Sequence, residues 1–271
     1  MTKERVLAIE IFQPYAQYRN PFTFYYAQTF PLPPKTAVIG MLQNATDRYY
    51  DQEFWNLKVS IHGGFESVFW NYQQLIKGTP KIGNWDRKIT IIGSNDNKPL
   101  YGLLKSQRTP VYQQELFNGH LYIFLKGDDG LLREIRDALS EPKKVLYLGR
   151  SEDIVYIKSV NFVESSKVLG FTRSLSLEFP TYIKHKGLPL VLQKYPVYSI
   201  PTYSVFRNGD RTVSNKAEIM RNKTERETKF ETVIYTGYDF NLRVNAKEQI
   251  RFHEYIICDK RFRILEDYGW L

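Results

Sequence analysis

Tyr182, Lys184, His185 and Lys186 fall within the single run YIKHKG. They are the residue types that a metal-independent ribonuclease would use. A His or Tyr can take the proton of a ribose 2′-hydroxyl, and a Lys can steady the departing oxyanion. A chain with 20 tyrosines also brings such residues together by chance, so an ordinary surface turn is the other reading. Glu152 and Asp153 in LGRSED are adjacent carboxylates, but neighbours on an extended chain point to opposite faces. Arg150 stands next to them, so an ion pair is their expected use. Gly149 and Ser151 make a compact loop whose backbone N–H groups could cradle an anion. His62, His120 and His253 are scattered, without metal-ligand spacing. HExxH, GxxxxGK[ST], GxSxG and paired CxxC are all absent. One cysteine, Cys258, leaves no intrachain disulfide and no Cys-rich metal site. No metal and no cofactor are expected.

These groups need elements to hold them. The opening stretch RVLAIEIFQ alternates Leu7, Ile9 and Ile11 onto one face of a strand, with Val6, Ala8 and Phe12 on the other. An aromatic loop follows, closed by Pro31, Pro33 and Pro34. In KTAVIGMLQNAT, Val38, Met41, Leu42 and Ala45 fall on one helical face. Pro34 suits the first turn of that helix, where a missing N–H costs nothing. The helix start would aim free N–H groups and a positive dipole end outward, beside Arg19, Lys35 and Thr36, a natural seat for phosphate. Gly40, within the helix, costs about 1 kcal/mol against Ala. It therefore needs a reason, either close approach to the sheet or to a bound polyanion.

Further strands are read at Leu57–Phe65 and His120–Gly127. A second helix in GLLREIRDALSEP is capped by Asp128 or Asp129 and stopped by Pro142. A last strand lies within VLYLGRSEDIVYIKSVNF. The order β-α-β-β-α-β predicts an α+β fold with a ferredoxin-like or RRM-type domain over residues 1–165. An insertion of about fifty residues, too long for a simple loop, fills roughly 70–115. From Lys77 to Arg108 it carries seven Lys or Arg and two Asp, a net of +5 in a chain whose total is +9. KITIIG followed by SNDNKP predicts a projecting hairpin there, with a solvated charged loop as the alternative. Residues 166–271, with Pro189, Pro196 and Pro201 among short strand-like runs, read as a smaller β-rich subdomain. No apolar run could span a bilayer and no signal-peptide core is present. A soluble, cytoplasmic protein with a polyanionic partner is expected.

Four motifs in order carry a resemblance: the opening strand with RNPFTF, then PLPPKTAVIGML, then RTPVYQQEL after the basic insertion, then YLGRSEDIV. Together they resemble the Cas-five family of CRISPR-associated proteins in the RAMP superfamily. NPFTFYYAQTFPLPP and the overall length look most like the type I-B branch. The resemblance implies a non-catalytic subunit of a type I Cascade complex, which holds the 5′ handle of the guide RNA (crRNA). It also implies contacts with the large subunit and the terminal backbone subunit, and with target DNA indirectly through the complex, in antiviral defence. The insertion would be the family's thumb. Lys77, Lys81, Arg87, Lys88, Lys105 and Arg108 would then face phosphates, and Tyr112 would stack on a base. Arg19, Asn20, Lys35 and Thr36 would line the handle groove, with Gly149, Arg150 and Ser151 as a second wall. The type I-C branch also cleaves precursor RNA with a Tyr/His/Lys set. The alternative function is therefore a metal-independent endoribonuclease working through the 182–186 cluster.

Overall fold

The computed structural model describes residues 4–23, 25–77, 80–82, 89–91, 107–166, 168–171, 174–189, 195–206, 226–245 and 250–271. The chain is mixed α/β, mostly strands, with two α-helices among the described residues. Strand β1 (Arg5–Ala16) occupies the middle of the principal sheet. The short β2 (Tyr26–Ala27) follows the aromatic loop and leads to helix α1 (Lys35–Thr46). Strands β3 (Lys58–Lys77) and β6 (Gln107–Lys126) are 20 residues each and pair antiparallel along their whole length, from Lys58↔Lys126 to Lys77↔Gln107. The shorter strands expected at 57–65 and 120–127 are thus only the inner halves. At the base of the insertion, Tyr72 to Gln74 and Pro110 to Tyr112 continue the same ladder. Beyond it β4 (Pro80–Ile82) pairs with β5 (Ile89–Ile91). The ITI strand thus pairs with the PKI before it, and SNDNKP lies outside the described residues. Helix α2 (Asp129–Ser140) and β7 (Tyr156–Glu164) complete the sheet, whose order is β7-β1-β6-β3, with β2 parallel to the outer part of β6.

Local chemistry explains both helices. Asp128 caps α2, its carboxylate accepting from the N–H groups of Gly130 at 2.8 Å and Leu131 at 3.0 Å. Leu131, Leu132, Ile135 and Leu139 form its buried stripe. Helix α1 begins one residue later than expected. Pro34 is its extended N-cap (φ −72°, ψ 158°), and the Pro34 carbonyl receives the N–H of Ala37. The apolar faces of both helices meet Leu7, Ile9 and Ile11 in one core.

The remaining chain supplies β8 (Val168–Phe171), β9 (Ser174–Leu177), β10 (Tyr182–Lys184), β11 (Val197–Phe206), β12 (Arg226–Tyr235), β13 (Phe240–Arg243), β14 (Ile250–Ile257) and β15 (Lys260–Leu265). Tyr182, Ile200 and Val233 enter the helix-side core. On the opposite face, Val6, Ala8, Tyr122 and Phe124 are covered by Tyr255, Phe262, Ile264 and Trp270. The sheet is thus buried on both sides over its inner half.

His62 sits in that second layer, edge-on to Phe124 and Phe262, with Nε2 3.0 Å from the Ser60 hydroxyl. Desolvation lowers its pKa to about 3. Between that value and the ordinary 6.5 the unfolded chain binds the extra proton, so stability falls as pH drops through this window. Going from pH 6.5 to 5 should cost about 2 kcal/mol from this residue. Urea melts of wild type and His62→Gln at the two pH values check it: the variant should lose that increment of pH dependence.

Candidate nucleic-acid interface

A groove of about 810 Å³ opens between α1, the loop after β1, the turn before β7 and the β11–β12 ribbon. The exposed side of α1 forms its floor with Thr36, Ala37 and Gly40. A methyl group built on Gly40 would meet nothing within 4 Å. Packing on the sheet therefore does not account for this glycine; it faces open space in the groove. Arg19 and Pro21 come from the aromatic loop, Tyr49, Tyr50 and Trp55 from the segment after α1, and Arg226 and Phe230 from β12. Arg19, Thr36, Gly149 and Arg150, read from separate parts of the sequence, line this one groove.

The turn from Gly149 to Asp153 is built around a buried carboxylate. Asp153 accepts the N–H of Arg150 at 2.8 Å and the N–H of Gln17 at 3.0 Å, and its other oxygen takes the Arg150 guanidinium at 2.8 Å. A second carboxylate, Glu115, holds Arg150 Nη1 at 3.0 Å. The loop does cradle an anion, and that anion is the protein's own Asp153. Gly149 has φ +113°, and a Cβ there would come within 2.7 Å of the Asp153 carboxylate. Ser151 is exposed and its hydroxyl donates to Glu152 at 3.1 Å.

Lys35 is placed differently from Thr36. Its ammonium turns inward and donates to Leu271 O at 3.1 Å and Trp55 O at 3.4 Å. Burial lowers its pKa to about 8, with Lys184 pushing the same way and Glu231 opposing. Asn20 shapes the loop, accepting the Phe22 N–H at 3.1 Å. Of the residues read for the insertion, Lys77 and Arg108 lie in β3 and β6 and Lys81 in β4. Arg87, Lys88 and Lys105 lie outside the described residues. Tyr112 is on the outer part of β6 and exposed. In the 182–186 cluster, Tyr182 is in the core, its hydroxyl donating to Leu32 O at 2.8 Å, whereas His185 and Lys186 are on the surface. Burial pushes the Tyr182 phenol well above its ordinary pKa.

One groove residue escaped the sequence reading. Asn44 is 5% exposed. The Tyr49 hydroxyl donates to Asn44 Oδ1 at 3.0 Å and accepts from Lys144 at 3.1 Å. That turns Nδ2 away from Tyr49, and Nδ2 has no acceptor among the described residues. A buried donor left unpaired costs about 1–3 kcal/mol. No sequence pattern marks an amide at this helical position. The groove can therefore offer aromatic faces for stacking, while the Arg150 guanidinium in its wall is already held by Asp153 and Glu115.

The sequence matches the family described as CRISPR-associated protein (Cas_Cas5) over residues 6–234, and the chain belongs to that family. No curated protein matches it. A chain of a solved "CRISPR RNA-guided surveillance complex" has the same fold at 14% identity and TM-score 0.50, over 89% of this chain and 92% of that one. Two further solved structures overlay more loosely. One is a "Cas protein" at 13% identity and TM-score 0.43, over 90% and 96% of the two chains. The other is a CRISPR protein from Archaeoglobus fulgidus at 12% identity and TM-score 0.41, over 96% and 98%.

Proposed function

We propose that this protein is a non-catalytic subunit of a type I CRISPR effector complex, of the I-B kind, that binds the 5′ handle of the guide RNA. The observation that carries the reading is the convergence of Arg19, Thr36, Gly149 and Arg150 on one aromatic-lined groove. Family membership and a shared fold with a chain of an RNA-guided surveillance complex support it. The same reading takes β7-β1-β6-β3 with the two helices as a ferredoxin-like body, supported by the antiparallel pairing of every neighbour in that order. The insertion at about 70–115, which the outer halves of β3 and β6 carry, is its thumb, and residues 166–271 are its smaller subdomain. The large subunit and the terminal backbone subunit are its protein partners in the cytoplasm. Separation of Tyr182 in the core from His185 on the surface supports leaving RNA cleavage to another protein.

The purified protein should bind a short handle RNA in a salt-dependent way and leave repeat RNA uncut. Each single-strand phosphate neutralised adds roughly 0.7 to the log–log salt slope. Replacing Lys77, Lys81, Lys88 and Arg108 together by Gln should flatten that slope. A slope unchanged by those substitutions removes the arm from the reading. Site-specific cleavage that disappears in His185→Ala replaces it with the endoribonuclease.

A further inference from the structure

Strand β6 changes which residues face the helices partway along. Leu121 and Leu116 are both in the helix-side core, and so are Ile11 and Ala16 of β1, although each pair is an odd number of residues apart. The switch falls at Asn118, which has φ 55°. Beyond it the helix-side face runs through Leu116, Gln114 and Tyr112, paired with Val68, Trp70 and Tyr72 of β3. Helices no longer cover this part of the ladder. Tyr26, Trp70, Tyr72 and Tyr112 are 64%, 48%, 51% and 43% exposed.

Their rings form one connected ledge. Tyr26 stacks on Tyr112 at 5.6 Å with an 11° interplanar angle. Trp70 stands edge-on to Tyr26 at 6.2 Å, and Tyr72 edge-on to Tyr112 at 5.4 Å. Four large rings gathered in solvent are costly unless something covers them. Three facts point to the occupant. The two paired strand segments, 67–77 and 107–117, contain Lys77 and Arg108, and their one carboxylate, Glu115, is buried and held by Arg150 at 3.0 Å. The ledge runs toward the insertion whose net charge is +5. Its other end joins the groove: the loop carrying Arg19 and Pro21 ends in β2 at Tyr26, and Tyr25 O accepts the Tyr112 N–H at 3.0 Å. A polyanion lying in the groove can therefore continue over the rings to the basic arm.

We propose that Tyr26, Trp70, Tyr72 and Tyr112 form a base-stacking ledge for the single-stranded RNA that leaves the groove. The inference rests on the RNA-binding reading above and adds a second contact surface to it. Stacking accepts every base because each has a π-face, so the ledge holds RNA without reading its sequence.

The test uses the full-length protein with oligouridine and oligoadenosine of about a dozen nucleotides. Trp70→Ala and Tyr112→Ala should each weaken binding of both oligomers by about tenfold with the salt slope kept. Trp70→Phe and Tyr112→Phe, which retain a ring, should restore most of that loss. Adding either oligomer should quench tryptophan emission in wild type and much less in Trp70→Phe, a readout that simple misfolding does not imitate. Alanine variants that bind both oligomers as wild type does, while a groove substitution such as Gly40→Leu abolishes binding, overturn the ledge and leave the groove standing. Alanine variants that keep RNA binding but lose a co-purifying protein make this a protein interface and also overturn it. Wild-type protein that binds no single-stranded RNA overturns both readings.

Discussion

Gly40→Leu should make the protein slightly more stable and unable to hold RNA. Glycine inside a helix is less favourable than leucine by close to 1 kcal/mol, and a side chain at this position meets nothing within 4 Å of its first carbon. The melting temperature should therefore rise by about 2–4 °C. The same side chain would stand in the groove between Thr36 and Asn44, one turn to either side on α1. A chain displaced from that floor loses contacts worth about 1–1.5 kcal/mol each, and two of them amount to about 100-fold in affinity. Thermal melts and RNA titrations on one preparation separate the effects. Unchanged affinity in a stable variant would mean that the floor of the groove does not touch RNA.

Asp153→Ala should be among the most damaging single substitutions in the chain. Asp153 is 1% exposed and takes two backbone N–H groups and the Arg150 guanidinium. Removing it strands those donors and leaves Arg150 with Glu115 as its remaining buried acidic partner. Breaking a buried pair by deleting one partner costs about 3–5 kcal/mol. Urea unfolding should show that loss as a lower midpoint at an unchanged slope. Glu115→Gln keeps the Asp153 contacts and should cost less. Equal stability for Asp153→Ala and wild type would refute this account of the turn. Because the turn holds Gly149 and Arg150 at the groove, RNA affinity should fall along with stability.

What the sequence made legible was what is local. Alternation around Leu7, Ile9 and Ile11 marked the central strand, and the stripe from Leu131 to Leu139 behind Asp128 marked α2 with its cap. The ion pair of Arg150 with Asp153 followed from their closeness in the chain. Glu115, the second carboxylate on that guanidinium, lies thirty-five residues upstream, beyond any spacing rule. Lys35 and Thr36 look equivalent as letters; only the position of Leu271 and Trp55 in space decides that one ammonium is inside while its neighbour lines the groove. The change of facing at Asn118 was equally hidden, because it depends on one backbone angle. Without it, Tyr112 could be read as one exposed ring but not as a member of a group of four. The part played by β11 and β12 in the groove wall was invisible too, since it comes from packing across the whole chain.

The ladder of β3 and β6 also has a mechanical meaning. Two strands of 20 residues, paired in one register from end to end with one pair missing at Glu66 and Asn118, form a beam about 66 Å long at 3.3 Å per residue. Its inner half is clamped between layers, and its outer half continues in the same register past the single irregularity at Asn118. A pull at the far end would therefore arrive as torque on the sheet itself instead of being absorbed by a hinge, and whatever grips that end would take its orientation from the body.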